Sequence, residues 1–152
     1  MSTPATGKQL TFTVNLDPQA QGSMRLGYAR SRPVIVHNED GKLRTWRQAV
    51  NLTAVATARA HNVELPYDCP VHIDYQFRLK RPASVKRPYP SVPPDIDKLE
   101  RAVNDGLSPK TGTKVLQDDS RIVRTCTDKQ YADNGTQPGV TITITPLGKD
   151  NK

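Results

Sequence analysis

Between Lys80 and Pro94 the chain reads KRPASVKRPYPSVPP, with five prolines and four basic residues in fifteen positions. Proline has no amide hydrogen to give to a ladder and holds φ near one value, so this stretch is excluded from the interior of a helix or a central strand. It must run as an extended, basic surface loop. At 152 residues, too little sequence remains on either side of it for two separate cores. It is therefore a loop within one domain, and the fold has to be assembled from what flanks it.

Immediately before the loop, Val71, Ile73, Tyr75, Phe77 and Leu79 alternate with His72, Asp74, Gln76 and Arg78. That period of two predicts a half-buried strand. Immediately after it, Ile96, Leu99, Ala102, Val103 and Leu107 fall on one face at helical spacing, and Asp97, Lys98, Arg101, Asn104 and Asp105 on the other. This predicts an amphipathic helix over 96–107. Other elements are expected at Gln9–Asn15 (strand), Pro33–His37 (short strand or hairpin arm), Leu43 to Ala60 (helix, stopping at His61-Asn62), Arg121–Tyr131 (strand) and around Val140, Ile142 and Ile144 (strand). Residues 16–33, with Pro18, Gly22, Gly27 and Pro33, read as a long loop. A turn follows at residues 38–41, and 108–117 reads as loop. The expected fold is α+β: a single domain over 1–152, with a mixed β-sheet, two main helices on one face, and flexible tails at 1–8 and 148–152.

Charge bears on partners. The net charge is +7, and the excess is confined to one part of the chain. Residues 1–94 hold 13 basic and 6 acidic residues, whereas 95–152 hold nine of each, with six acids between Asp95 and Asp119. A basic protein with one acidic cluster suits a polyanion binder that carries a cation site, although a solvated basic surface would have the same composition. No apolar run is long enough for a membrane helix, and MSTPATGKQL has no secretory h-region. Two cysteines, Cys69 and Cys126, make neither a disulfide scaffold nor a metal-ligand spacing, so the expected compartment is the cytoplasm.

Within the acidic cluster, Asp95 and Asp97 are two apart at the start of the second helix. In an extended segment, such residues point to the same side and can converge on one cation. Mg²⁺ takes hard oxygen ligands, one or two carboxylates plus water and substrate phosphate. Asp118 or Asp119 supplies a further carboxylate at the start of a strand that could lie beside the first pair. The structural alternative is a capping box over Asp97–Glu100, with Asp97 as the cap, and an ordinary turn at Asp118-Asp119.

PPDIDKLERAVNDGL (93–107) followed by DDSRIV (118–123) resembles the RusA-type Holliday junction resolvases, small endodeoxyribonucleases of bacteria and their phages and prophages. Weaker echoes follow at Lys129-Gln130-Tyr131 and in PGVTITI (138–144). The resemblance implies a metal-dependent homodimer that nicks opposed strands of a branched DNA, the four-way junction, in recombination and repair, with Mg²⁺ as cofactor and Mn²⁺ as a substitute. It places the metal-binding aspartates on Asp95, Asp97 and Asp119, with Asp118 the close alternative to Asp119. It places the family's catalytic lysine on Arg101, where this chain departs: arginine keeps the charge but cannot give up its proton.

For phosphate contacts, Lys80, Arg81, Lys86 and Arg87 in the proline-stiffened loop are the first candidates, and Arg25, Arg30 and Arg32 form a second patch. Tyr89, between two prolines, could stack on an unpaired base or pack locally. Trp46 belongs to the core on its helical spacing, and His37, His61 and His72 show no ligand spacing. The competing readings are a non-catalytic basic nucleic-acid-binding protein and a less selective metal-dependent DNA nuclease.

Overall fold

The computed structural model describes residues 7–22, 25–29, 32–36 and 41–148. The elements run β1 (Leu10–Val14), β2 (Arg25–Ala29), β3 (Arg32–Val36), α1 (Gly41–Ala60), β4 (Val71–Lys80), α2 (Ile96–Leu107), a 3-10 turn (Asp119–Arg121), β5 (Ile122–Ala132) and β6 (Gly139–Pro146). β1, β6, β4 and β5 form one sheet in that order, and β2 and β3 form a separate hairpin. β4 pairs parallel with β5 and antiparallel with β6, and β1 is antiparallel to β6, so the sheet is mixed.

The alternation of the strands assembles the core. Registered pairing lines up Leu10, Ile144 and Ile73 on one rung, Phe12, Ile142 and Tyr75 on the next, and Val14, Val140 and Phe77 on a third. All nine are buried, in one cluster with Leu43, Trp46, Val50 and Ala54 of α1 and with Leu99, Ala102, Val103 and Leu107 of α2. The side chains between those rungs point to the opposite face. There Thr11 meets Thr143 at 3.1 Å and Thr13 meets Thr141 at 3.0 Å. The expected α+β domain, a mixed sheet with two helices on its apolar face, is what the chain forms.

α1 ends as the sequence suggests. Asn62 takes a left-handed φ of 57° and lets the Val63 amide donate back to the Ala58 carbonyl at 2.8 Å. Three expectations need correction. β2 occupies residues read as loop, and its mate β3 starts at Arg32. α1 begins at Gly41, a residue assigned to the turn; the remainder of that turn lies outside the described residues. The loop 108–117 is not wholly a surface loop. Val115 and Leu116 are fully buried, both amides donate to the Leu107 carbonyl, and Leu116 bridges to Tyr67. Of the expected tails, residues 1–6 and 149–152 lie outside the description, while the Lys8 carbonyl accepts the Tyr67 hydroxyl at 2.5 Å. No helix among the described residues is long and apolar enough to cross a membrane.

Candidate active site

The proline loop delivers Asp95 to the start of α2. Asp95 is the N-cap residue, with extended backbone (φ −73°, ψ 148°), yet its carboxylate caps no amide. Asp97 lies in the first turn, where the helix dipole favours negative charge. The capping box with Asp97 at its head is therefore not formed. The helix starts earlier than that pattern requires, and the Glu100 carboxylate accepts the Thr127 hydroxyl instead of reaching back. Both aspartates are left exposed, and both turn toward one cation: the Lys98 ammonium stands 4.0 Å from Asp95 Oδ2 and 3.9 Å from Asp97 Oδ2. Arg101, one turn beyond Asp97, is exposed on the same helix.

Asp119 is held elsewhere. The Ser108 hydroxyl, at the C-cap of α2, donates to its carboxylate. Twelve helical residues at 1.5 Å each separate the two ends of α2 by about 18 Å. Asp95 and Asp97 thus mark one end of the helix and Asp119 the other. Among the described residues, no three His, Cys, Asp or Glu side chains converge as a metal cluster. The cause is chain direction. β5 runs antiparallel to α2, as three cross-links show in turn: Asp119 to Ser108, Thr127 to Glu100, and Lys129 to the carbonyls of Val92 and Pro94, each at 2.7 Å. The end of β5, not its start, lies beside Asp95.

Burial pushes the Asp119 carboxyl above the ordinary aspartate value, the Ser108 hydroxyl opposes that shift, and neighbouring Asp118 adds to it. Asp118 is held below the ordinary value by hydrogen bonds from Ser120, whose amide donates at 2.9 Å. Between the two ends of α2 lies Tyr75, whose hydroxyl donates to Asn104 Oδ1 at 2.6 Å. Its pKa is driven upward, first by burial and then by the Glu100 charge. Glu100, Asn104 and Ser108 thus form a stripe at four-residue spacing, each member bonded to a different partner. The spacing is visible in the sequence, but the partners are not. Lys129 had appeared only as a weak echo of the family. In the fold it ties β5 to the backbone that presents Asp95.

The basic loop divides by role. Arg81 grips Asp133 with two hydrogen bonds of 2.8 and 3.0 Å, donates to the Val85 and Arg87 carbonyls, and lies 4.1 Å above the Tyr131 ring. It is a clamp for the loop. Arg87 donates to the Tyr131 hydroxyl at 2.8 Å. Lys80 and Lys86 are exposed, as is Tyr89 at 67%. Arg25 opens β2 and Arg32 opens β3, paired at opposite ends of the hairpin, while Arg30 lies outside the described residues.

No curated protein matches the chain significantly. A family model described as Endodeoxyribonuclease RusA matches residues 16–145. That span takes in Asp95, Asp97, Arg101, Asp118 and Asp119. It also runs well upstream of the segment in which the motif is dense, through the hairpin, α1 and β4. The chain belongs to the RusA family of endodeoxyribonucleases.

Proposed function

We propose that this protein is a Mg²⁺-dependent, structure-selective endonuclease that resolves four-way DNA junctions by paired symmetric nicks, acting as a homodimer in the cytoplasm. The observation that carries the proposal is the pair Asp95 and Asp97: exposed, free of capping duty, and turned toward a single ammonium. Two hard carboxylates facing one cation fit Mg²⁺, which keeps most of its shell for water and phosphate. Such an ion supplies Lewis-acid stabilisation of the phosphodiester and a more acidic water.

The chain's own residues do the rest. Arg101 sets a fixed positive charge one turn from the pair, placed to neutralise charge on a phosphate. Lys129 and the Arg81 clamp hold the proline loop, and with it Asp95, in place. Lys80 and Lys86 offer backbone phosphate contacts, with Arg25, Arg30 and Arg32 as a second patch. Asp119, with Asp118 beside it, serves as the further metal ligand. Because Asp119 stands at the far end of α2, we assign it to the site of a second copy. That assignment makes the homodimer a condition of cleavage.

The test is a labelled four-way junction beside a matching duplex, each with Mg²⁺ and with EDTA. Paired nicks in the junction alone, with Mg²⁺ alone, are expected. Binding without nicking would establish the non-catalytic reading, and equal cutting of both substrates a less selective nuclease.

A further inference from the structure

A second feature lies on the other side of Ser108. Between α1 and the loop after α2 is a cleft of about 630 Å³, lined by Arg44, Arg47, Gln48, Asn51, Ser108 and Lys110 among others. α1 has four basic residues and no acidic one. Among the described residues, the only carboxylate lining the cleft is Asp105, which Arg47 engages at 3.9 Å while also donating to Gln21 Oε1 at 3.0 Å. Arg44 and Lys110 are exposed, and neither forms an ion pair among the described residues.

The cleft is preformed. Asn51 Nδ2 donates to the Gly106 carbonyl at 3.0 Å and the Thr113 carbonyl at 2.8 Å, fastening both ends of the loop to α1. Gly106 lets the helices meet: a Cβ there would stand 2.8 Å from the Arg47 carbonyl oxygen. Pro109 stiffens the turn. Little ordering remains to oppose a ligand, and Arg44 and Lys110 are held in no competing ion pair among the described residues. Ser108 both lines this cleft and donates to Asp119, so the cleft abuts the carboxylate at the C-terminal end of α2.

We infer that this cleft is a phosphodiester-binding site that seats the DNA strand beside Asp119, with Arg44 and Lys110 as its phosphate contacts. The inference rests on the DNA-binding reading above and adds to it a location distinct from the basic proline loop. Each lost contact should lower the salt dependence of binding by about 0.9 in the log–log slope.

The experiment measures junction affinity in EDTA between about 50 and about 200 mM salt, for wild type, for Arg44→Gln with Lys110→Gln, and for Arg59→Gln. Arg59 is exposed on α1 about 22 Å along the helix from Arg44. The double variant should bind at least tenfold more weakly at the lower salt. Its slope should be shallower by one to two, with an unchanged melting temperature. Arg59→Gln should match wild type. A double variant with wild-type affinity and slope would overturn the assignment, as would an equal loss per charge in Arg59→Gln. Failure of the wild type to bind DNA at all would instead refute the function proposed above.

Discussion

Arg101 stands where the resemblance implies a lysine, and the two side chains differ in what they can do with a proton. If its task is to hold positive charge against a phosphate, lysine and arginine are both adequate. Arg101→Lys is then expected to keep substantial cleavage activity, while Arg101→Ala loses on the order of 10²-fold or more in rate. Full activity of the alanine variant would remove Arg101 from the site. Asp119 makes a different statement, about stability. Burial raises its pKa in the folded protein, so the native state holds the proton more tightly than the unfolded chain. Over that interval the native state binds more protons, and stability falls as pH rises from the ordinary aspartate value through the folded one. At neutral pH the ionised carboxylate therefore works against folding. Asp119→Asn can still accept from Ser108, and in EDTA it should melt above wild type at pH 7. The gain should disappear near about pH 3, where both side chains are neutral. A lower melting temperature at pH 7 would show that the Ser108 bond outweighs the burial.

The elements that the sequence makes legible are those whose pattern is long. β4 and α2 carry full alternation and a full apolar face, and they form within a residue of their expected bounds. β2 is hidden because RLGYA is short, includes Gly27 and sits among residues that punctuate loops; only pairing with β3 makes it a strand. Val115 and Leu116 are hidden because two apolar residues after Pro109 and Gly112 have no period of their own; their burial comes from the bridge to Tyr67. At the candidate site, the spacing that puts Asp95, Asp97 and Arg101 at the start of one helix is local and legible. The position of Asp119 depends on the direction in which β5 passes α2, which no local pattern encodes. The crossing of α1 and α2 is another such long-range fact, and it hinges on Gly106. Gly106→Ala would bring a Cβ to 2.8 Å from the Arg47 carbonyl and 3.1 Å from the Val50 side chain. Overpacking of that kind should cost roughly 1–3 kcal/mol, read as a lower melting temperature with the same cooperativity. An unchanged melt would mean that the helix pair can separate freely.

At the scale of the whole molecule, the proposed resolution of a four-way junction asks a chain of 152 residues to make two opposed cuts. A twofold homodimer would match the near-twofold symmetry of a four-way junction and would supply both sites from one chain. The separation of Asp119 from Asp95 and Asp97 sharpens this into a complementation test. Asp97→Asn and Asp119→Asn should each be inactive. Mixed, they should form heterodimers in which one site combines an intact pair from one chain with an intact Asp119 from the other, so that single-strand nicking returns. No recovery on mixing would place all three aspartates of a site in one chain. The central claim, paired cleavage of a branched structure by a metal-dependent dimer, is tested most directly on a supercoiled plasmid that extrudes a cruciform. Wild type with Mg²⁺ should convert it to linear product in a single binding event, with no product in EDTA and no cutting of the same plasmid lacking the cruciform. Excess Asp97→Asn should shift that product to nicked circles. Nicked circles alone from the wild type, or equal cutting of the plasmid without a cruciform, would contradict it.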